Sequence, residues 1–330
     1  MGVWALILGI LVLVVVMVDV IWSTLSTNGA GPVARMVSRA VWVSFAAVQR
    51  KWGSHRLMKT NVVVILVVTF LSWVFLLWSG WYLVFASAAE AVLVEATEEP
   101  AWGRDRVYFV GMTLFTLGTG DMIAGTPGWR MLMSIAAVNG LVLITMVITY
   151  LLPVISAGIE RRQLALSIWG LGATAAEILE NGWNGENFQD LEGPLDGIAI
   201  QLMLHAERHL AYPVLQYFHA ADPRADLPPR VAMLQDALLL LEVGVKERAR
   251  PSKVVLRRVS TAVDRYLQRM IFHQIKEPEE APELPRLDRL EKRGVPLQEE
   301  KKWEERFEER EEARKLLYGS MRVVGWEWGQ

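Results

Sequence analysis

The sequence contains no cysteine, which excludes disulfides and thiolate metal sites. It also lacks a basic excess: 34 Lys and Arg stand against 36 Asp and Glu, a formal net charge of −2. Nucleic-acid-binding proteins normally carry a strong positive surplus, so that class of partner is set aside. Charge is missing altogether from Asn61 to Ser87 and from Met131 to Ile159, and only Asp19 interrupts the run from Val3 to Trp22. Two glycine motifs are absent as well. "GTGDMIAGTPG" lacks the Gly-Lys-Ser/Thr ending of a phosphate-binding loop, and Ile123 stands where a dinucleotide fingerprint needs its third glycine.

What remains is long and apolar. About 20 apolar residues cross the hydrocarbon core of a bilayer, and all three runs approach that length. One such helix fits inside a soluble protein; three within the first half of the chain indicate an integral membrane domain. Trp4, Trp22, Trp78, Trp81 and Trp129 sit near the ends of these runs, where aromatic rings meet a membrane interface. The first run has no basic region before it and no small-x-small site after it, so it reads as a retained helix, not a signal peptide. The loop after it carries Arg35, Arg39, Arg50, Lys51, Arg56 and Lys59 without an acid, whereas Glu90, Glu95, Glu98, Glu99 and Asp105 follow the second run. Positive loops stay inside. The expected topology is therefore a multi-pass protein of the cytoplasmic (inner) membrane, with the N-terminus outside and the C-terminal half in the cytoplasm. Between the first two runs, Val33, Val37, Val41, Phe45 and Val48 form one stripe, which predicts a helix over 32–49 lying on the inner membrane surface and touching lipid.

The segment between the second and third runs has the wrong composition for an external loop. "RVYFVGMTLFT" (Arg106 to Thr116) is apolar but about half the length of a span. That suits a short re-entrant helix, and irregular backbone at membrane depth survives only when buried in protein or lining a watery cavity. "LGTGD" follows, with Gly118 and Gly120 at alternate positions. Glycine reaches positive φ without steric cost, so alternate glycines let successive carbonyls point the same way, as a cation path requires.

"TLGTGD" (Thr116 to Asp121) resembles the selectivity-filter signature of the potassium-channel pore-loop superfamily, usually Thr-Val-Gly-Tyr-Gly-Asp. The order of parts resembles it too: outer helix at 61–87, pore helix at about 106–115, filter at 116–120 and inner helix at 131–159. The resemblance is to bacterial potassium channels of the two-helix pore type, with an additional transmembrane helix in front. It implies an all-α membrane protein that works as a homotetramer, with a carbonyl-lined filter at Thr116, Leu117, Gly118, Thr119 and Gly120. Asp121 would lie at the outer mouth, with Gly140 and Pro153 as gating candidates in the inner helix. K+ is the implied permeant ion, with no cofactor. Leu117 replaces the usual Val or Ile, and Thr119 replaces the tyrosine that packs against the pore helix, which a small hydroxyl cannot reproduce. A weakly selective Na+/K+ channel of the same fold therefore stands beside a potassium channel, and a membrane-anchored sensor is the alternative of another class.

The domains expected are an N-terminal helix with its interfacial helix (1–60), the channel domain (61–160) and a helical cytoplasmic domain (161–330). Helical patterns in the last cover about 198–211, 230–248 and 253–275. "HAERH" sets His205 and His209 one turn apart, a spacing that can ligate zinc or nickel or sense pH, and that equally fits a partly exposed amphipathic helix. Glu277 to Pro285 reads as a linker. Leu297 to Tyr318 reads as a charged helix with opposite signs at i, i+4, in which Trp303, Phe307 and Leu317 are candidates for tetramer packing. No nucleophile–base–orienter set is visible, so an enzyme is not expected.

Overall fold

A computed structural model describes residues 2–52, 60–220, 222–270, 288–298 and 311–323. The linker at 277–285, the loop residues Arg56 and Lys59, and Trp303 and Phe307 lie outside the described residues. Among the described residues the protein is helical, with three helices long and apolar enough to cross a membrane: α1 (Gly2–Leu25), α3 (Asn61–Phe85) and α5 (Pro127–Leu171). Helix α2 (Pro32–Trp52) runs between the first two. The chain divides into two compact units, one of residues 1–44 and 63–154 and one of residues 45–62 and 155–330.

In the first unit, the lone acid of the first span is fully enclosed. Asp19 is 1% exposed and accepts backbone N–H groups of Val33 at 2.8 Å and Ala34 at 3.2 Å. Trp73 of α3 donates its indole N–H to the same carboxylate at 2.8 Å, and Ser23 accepts from the Gly31 N–H at 2.9 Å. The first N–H groups of a helix have no intrahelical partners, and its positive end favours an anion. Asp19 thus caps α2 from a different helix. Ala34 and Trp42 of α2 are buried, while Arg35 and Arg39 are exposed.

After α3 the chain makes a short 3-10 turn at Ala89–Ala91, strand β1 (Leu93–Val94), helix α4 (Arg104–Leu114), an irregular stretch and strand β2 (Met122–Ile123). The strands pair antiparallel, Leu93 with Ile123 and Val94 with Met122. Helix α4 is seated on α3 by aromatic packing, with Phe85 and Phe109 edge-on at 5.1 Å. Trp78 donates its indole N–H to the Val107 carbonyl at 3.0 Å. Of the tryptophans expected at membrane interfaces, Trp81 is buried in this unit, whereas Trp4 and Trp22 are exposed.

Helix α5 is one 45-residue helix running through Pro153. The apolar run marks how much of it suits lipid, not where the helix stops. It begins on Pro127, a favoured first position for proline, and carries Glu160, Arg161 and Arg162 inside it.

In the second unit, the last turns of α5 supply Leu164, Ala165 and Ile168 to a core shared with α6 (Ala175–Gly182), α7 (Glu192–Ala211), α8 (Leu227–Leu239) and α9 (Lys253–Arg269). Two further helices, α10 (Asp288–Lys292) and α11 (Glu311–Val323), contribute Leu290 and Leu317 to it. Helix α9 faces α7 with Leu256, Val259, Val263 and Leu267, one apolar stripe at helical spacing. Every residue of α8 is buried. Its chain continues as a single π-helical turn (Leu240–Gly244), so the helix expected over 230–248 is shorter and earlier. Thr174 accepts the Glu177 N–H at 3.2 Å, and the Glu177 carboxylate accepts the Ala173 N–H at 3.0 Å, capping α6.

Two buried ion pairs fasten this core. Arg161 of α5 reaches Asp226 at 3.3 Å, with side chains 7% and 0% exposed, and donates to the Phe218 carbonyl. Arg314 of α11 holds Asp236 of α8 through two bonds, 2.9 and 3.2 Å.

Candidate functional site

The stretch between α4 and β2 is built by the way α4 ends. The Thr116 N–H donates to the Thr113 carbonyl at 3.2 Å and the Leu117 N–H to the Met112 carbonyl at 2.9 Å. These two bonds define a Schellman termination, whose turning residue takes the left-handed conformation. That residue is Thr116, at φ +56°. Such a turn normally falls on glycine, and a β-branched residue there is an outlier that the surroundings must sustain. Strain of this kind collects at functional sites.

Beyond it, Gly118 lies at φ +55° and Gly120 at φ +82°. Positive φ thus recurs at positions 116, 118 and 120 and skips Leu117 and Thr119. Alternating hand along a chain brings successive carbonyls toward one side. All five residues, and Asp121 after them, are exposed in the single chain, and Leu117 is 70% exposed. Nothing lies within 4 Å of where a side chain at Gly118 or Gly120 would begin.

The outer end of the stretch is tied down. The Glu95 N–H donates to the Asp121 carbonyl at 3.0 Å, continuing the β1–β2 pairing. The buried Arg106 guanidinium donates to the carbonyls of Ala101 (2.6 Å), Ala88 (2.9 Å) and Ala89 (3.0 Å) and lies over the Trp102 ring. It links the start of α4 to the chain leaving α3. Glu90, Glu95, Glu98, Glu99 and Asp105 are exposed in the single chain.

The inner end meets α5 at Gly140. A Cβ there would stand 1.9 Å from the Leu114 carbonyl oxygen. The sequence suggests Gly140 as a hinge; the structure gives it a role in letting α5 approach the end of α4. Pro153 lies mid-helix with its neighbours helical on both sides.

His205 and His209 are brought together, but not on an exposed face. Both are buried, with rings 5.5 Å apart and Tyr266 6.1 and 6.5 Å away. Burial pushes His205 down to about 2 and His209 down to about 3, with Arg161 adding to the effect. Among the described residues no group of three or more His, Asp or Glu side chains comes together to hold a metal. Both rings pack against Tyr266 within the core of this unit. Spacing alone could not say which face of α7 turns inward.

Sequence reasoning overlooked Tyr108. Its phenol oxygen lies 3.2 Å from the Thr119 hydroxyl, and Thr119 also bonds to the Asp121 carboxylate. The available signal was Tyr108 and Met112 at i and i+4 on α4, the face turned to Thr119.

Comparison with known proteins agrees with this geometry. Residues 62–157 match a family described as ion channel. Over 325 residues the chain is 30% identical to the "Uncharacterized membrane protein YdjJ" of Bacillus subtilis (strain 168), covering 98% of this chain and 94% of that protein. No solved structure matches significantly. The chain is a multi-pass membrane protein of the same family as that Bacillus protein, and its residues 62–157 form an ion-channel domain with an additional apolar helix in front of it.

Proposed function

We propose that four copies of the chain assemble around a fourfold axis and conduct monovalent cations, K+ foremost, through Thr116–Gly120. The observation that carries this reading is the positive φ at Thr116, Gly118 and Gly120, directly after a short helix set between two spans. One such segment cannot enclose an axis, and closed cyclic symmetry supplies the other three. Carbonyls converging on that axis replace the hydration shell of the ion. Four copies of Asp121, with the exposed glutamates nearby, concentrate cations at the outer mouth. The basic residues of the first loop favour the cytoplasm, which puts the N-terminus outside and residues 161–330 inside a bacterial cytoplasmic membrane. The role is transport; no chemistry on a substrate is assigned.

The test is the reversal potential of the purified protein in planar bilayers, with potassium on one side and sodium on the other. A value displaced toward the potassium equilibrium potential is expected. A value near zero assigns a weakly selective channel of the same fold. No cation flux in bilayers or liposomes overturns the proposal.

A further inference from the structure

We infer that Tyr108, on the pore helix α4, is a positioning residue that braces the outer half of the filter through the Thr119 hydroxyl. The inference rests on reading Thr116–Gly120 as the conducting segment. The family pattern places an aromatic ring on the filter itself and packs it against the pore helix. In this chain the ring stands on the pore helix and the filter contributes only a small hydroxyl, so packing gives way to hydrogen bonding.

The direction of each bond follows from the donor inventory. A threonine hydroxyl has one proton and an ionised carboxylate has none. The Thr119 proton therefore goes to Asp121, and the Tyr108 phenol directs its own proton toward the Thr119 hydroxyl at 3.2 Å and the Asp121 carboxylate beside it. The Met112 sulfur, 2.9 Å from the same hydroxyl, is a weak acceptor left as the third contact. Tyr108 and Met112 lie one turn apart, so a single face of α4 presents both to the filter. The result is a chain of bonds from pore helix to filter to outer mouth, in which each link polarises the next.

The need for such a link is visible in the backbone. Gly118 and Gly120 flank Thr119 and have no neighbour within 4 Å of a Cβ position, and Leu117 directs its side chain away from the protein at 70% exposure. Glycines are free to change conformation. Between the backbone bonds at Leu117 and Asp121, the side chain of Thr119 is thus a tether of this stretch, and the geometry of the carbonyls on either side depends on what holds it.

The experiment uses the full-length protein in planar bilayers and reads the potassium-to-sodium permeability ratio. Tyr108→Phe removes one oxygen and keeps the ring; Thr119→Val keeps the volume; Thr119→Ser restores a hydroxyl. Tyr108→Phe is expected to lower the ratio by up to about tenfold, the scale of one lost hydrogen bond. Thr119→Val should do the same, the double variant should be no worse than either single one, and Thr119→Ser should stay near wild type. A fully coupled pair behaves this way, whereas independent sites add. If Thr119→Val does not assemble, Tyr108→Phe against Thr119→Ser decides. A ratio that Tyr108→Phe leaves unchanged, or effects that add in the double variant, overturns the brace while leaving the channel in place. A wild-type protein that passes no cation overturns both.

Discussion

Replacing Gly140 with alanine tests how tightly α5 is pressed against the end of α4. In an open helix position the change is favourable by up to about 1 kcal/mol, because alanine is the better helix former. At Gly140 the new methyl group would sit 1.9 Å from the Leu114 carbonyl oxygen and 2.8 Å from its carbon. Both sides of that contact are backbone, so no side chain can swing away. Ordinary contact lies near 3.4 Å, so α4 and α5 must part by roughly 1.5 Å. Overpacking of this kind costs about 1–3 kcal/mol, and the upper end applies where backbone must move, so sterics exceed propensity. Leu114 is two residues from Thr116, so the displacement reaches the proposed conducting segment. Gly140→Ala is therefore expected to lower the thermal midpoint of the detergent-solubilised protein and to reduce cation flux in liposomes. Gly128→Ala, near the start of the same helix with nothing within 4 Å, should melt at or slightly above wild type. A Gly140→Ala protein that melts like wild type and conducts normally would refute the close-approach argument. Normal melting with altered open probability would instead point to a hinge.

Two further outcomes concern the second unit. Arg161→Met removes the 3.3 Å ion pair to the buried Asp226 carboxylate and the bond to the Phe218 carbonyl while the Arg230 charge still acts on that carboxylate, a change expected to cost about 1–3 kcal/mol and to raise hydrogen exchange at the end of α5. Burial also holds His219 down to about 4, beside His205 at about 2 and His209 at about 3. The unfolded histidines bind protons below about pH 6.5 while the folded ones do not, so stability is complete above that pH and falls as the solution is acidified toward the folded values. From pH 6.5 to 5 the loss is about 2 kcal/mol for each such histidine, and the melting midpoint of the C-terminal unit should fall with it. A midpoint that is flat over this range would contradict the buried placement.

The parts of this fold that depend on composition were legible. Three long apolar runs, two of them uncharged and the first broken only by Asp19, announced three candidate spans, and the alternate glycines after a half-length apolar helix pointed to the stretch where φ turns positive at 118 and 120. What depends on distant partners was not. Asp19 reads as a mere interruption until Val33, Ala34 and Trp73 are seen around it. Hydropathy falls sharply at Glu160, but α5 continues because Arg161 finds a buried acid 65 residues later. Gly140 looks like a hinge from its place in the sequence, and only the position of the Leu114 carbonyl shows a contact there. Thr119 looks like a lost brace because the residue that answers it stands on another element.

The enclosure of Asp19 has a consequence for how the protein is made. A carboxylate within an apolar helix opposes insertion by up to about 2.5–3.5 kcal/mol if it enters alone. Two of its three donors, the N–H groups of Val33 and Ala34, follow within 15 residues and emerge from the ribosome almost together with it. The third, Trp73, belongs to the next span, 54 residues later. The first helix is therefore expected to enter the membrane together with the start of α2 and to reach its final seat when α3 arrives. The additional helix is in this sense a dependent of the pore it precedes, and a truncated chain ending before Trp73 inserts a first helix that is not yet complete.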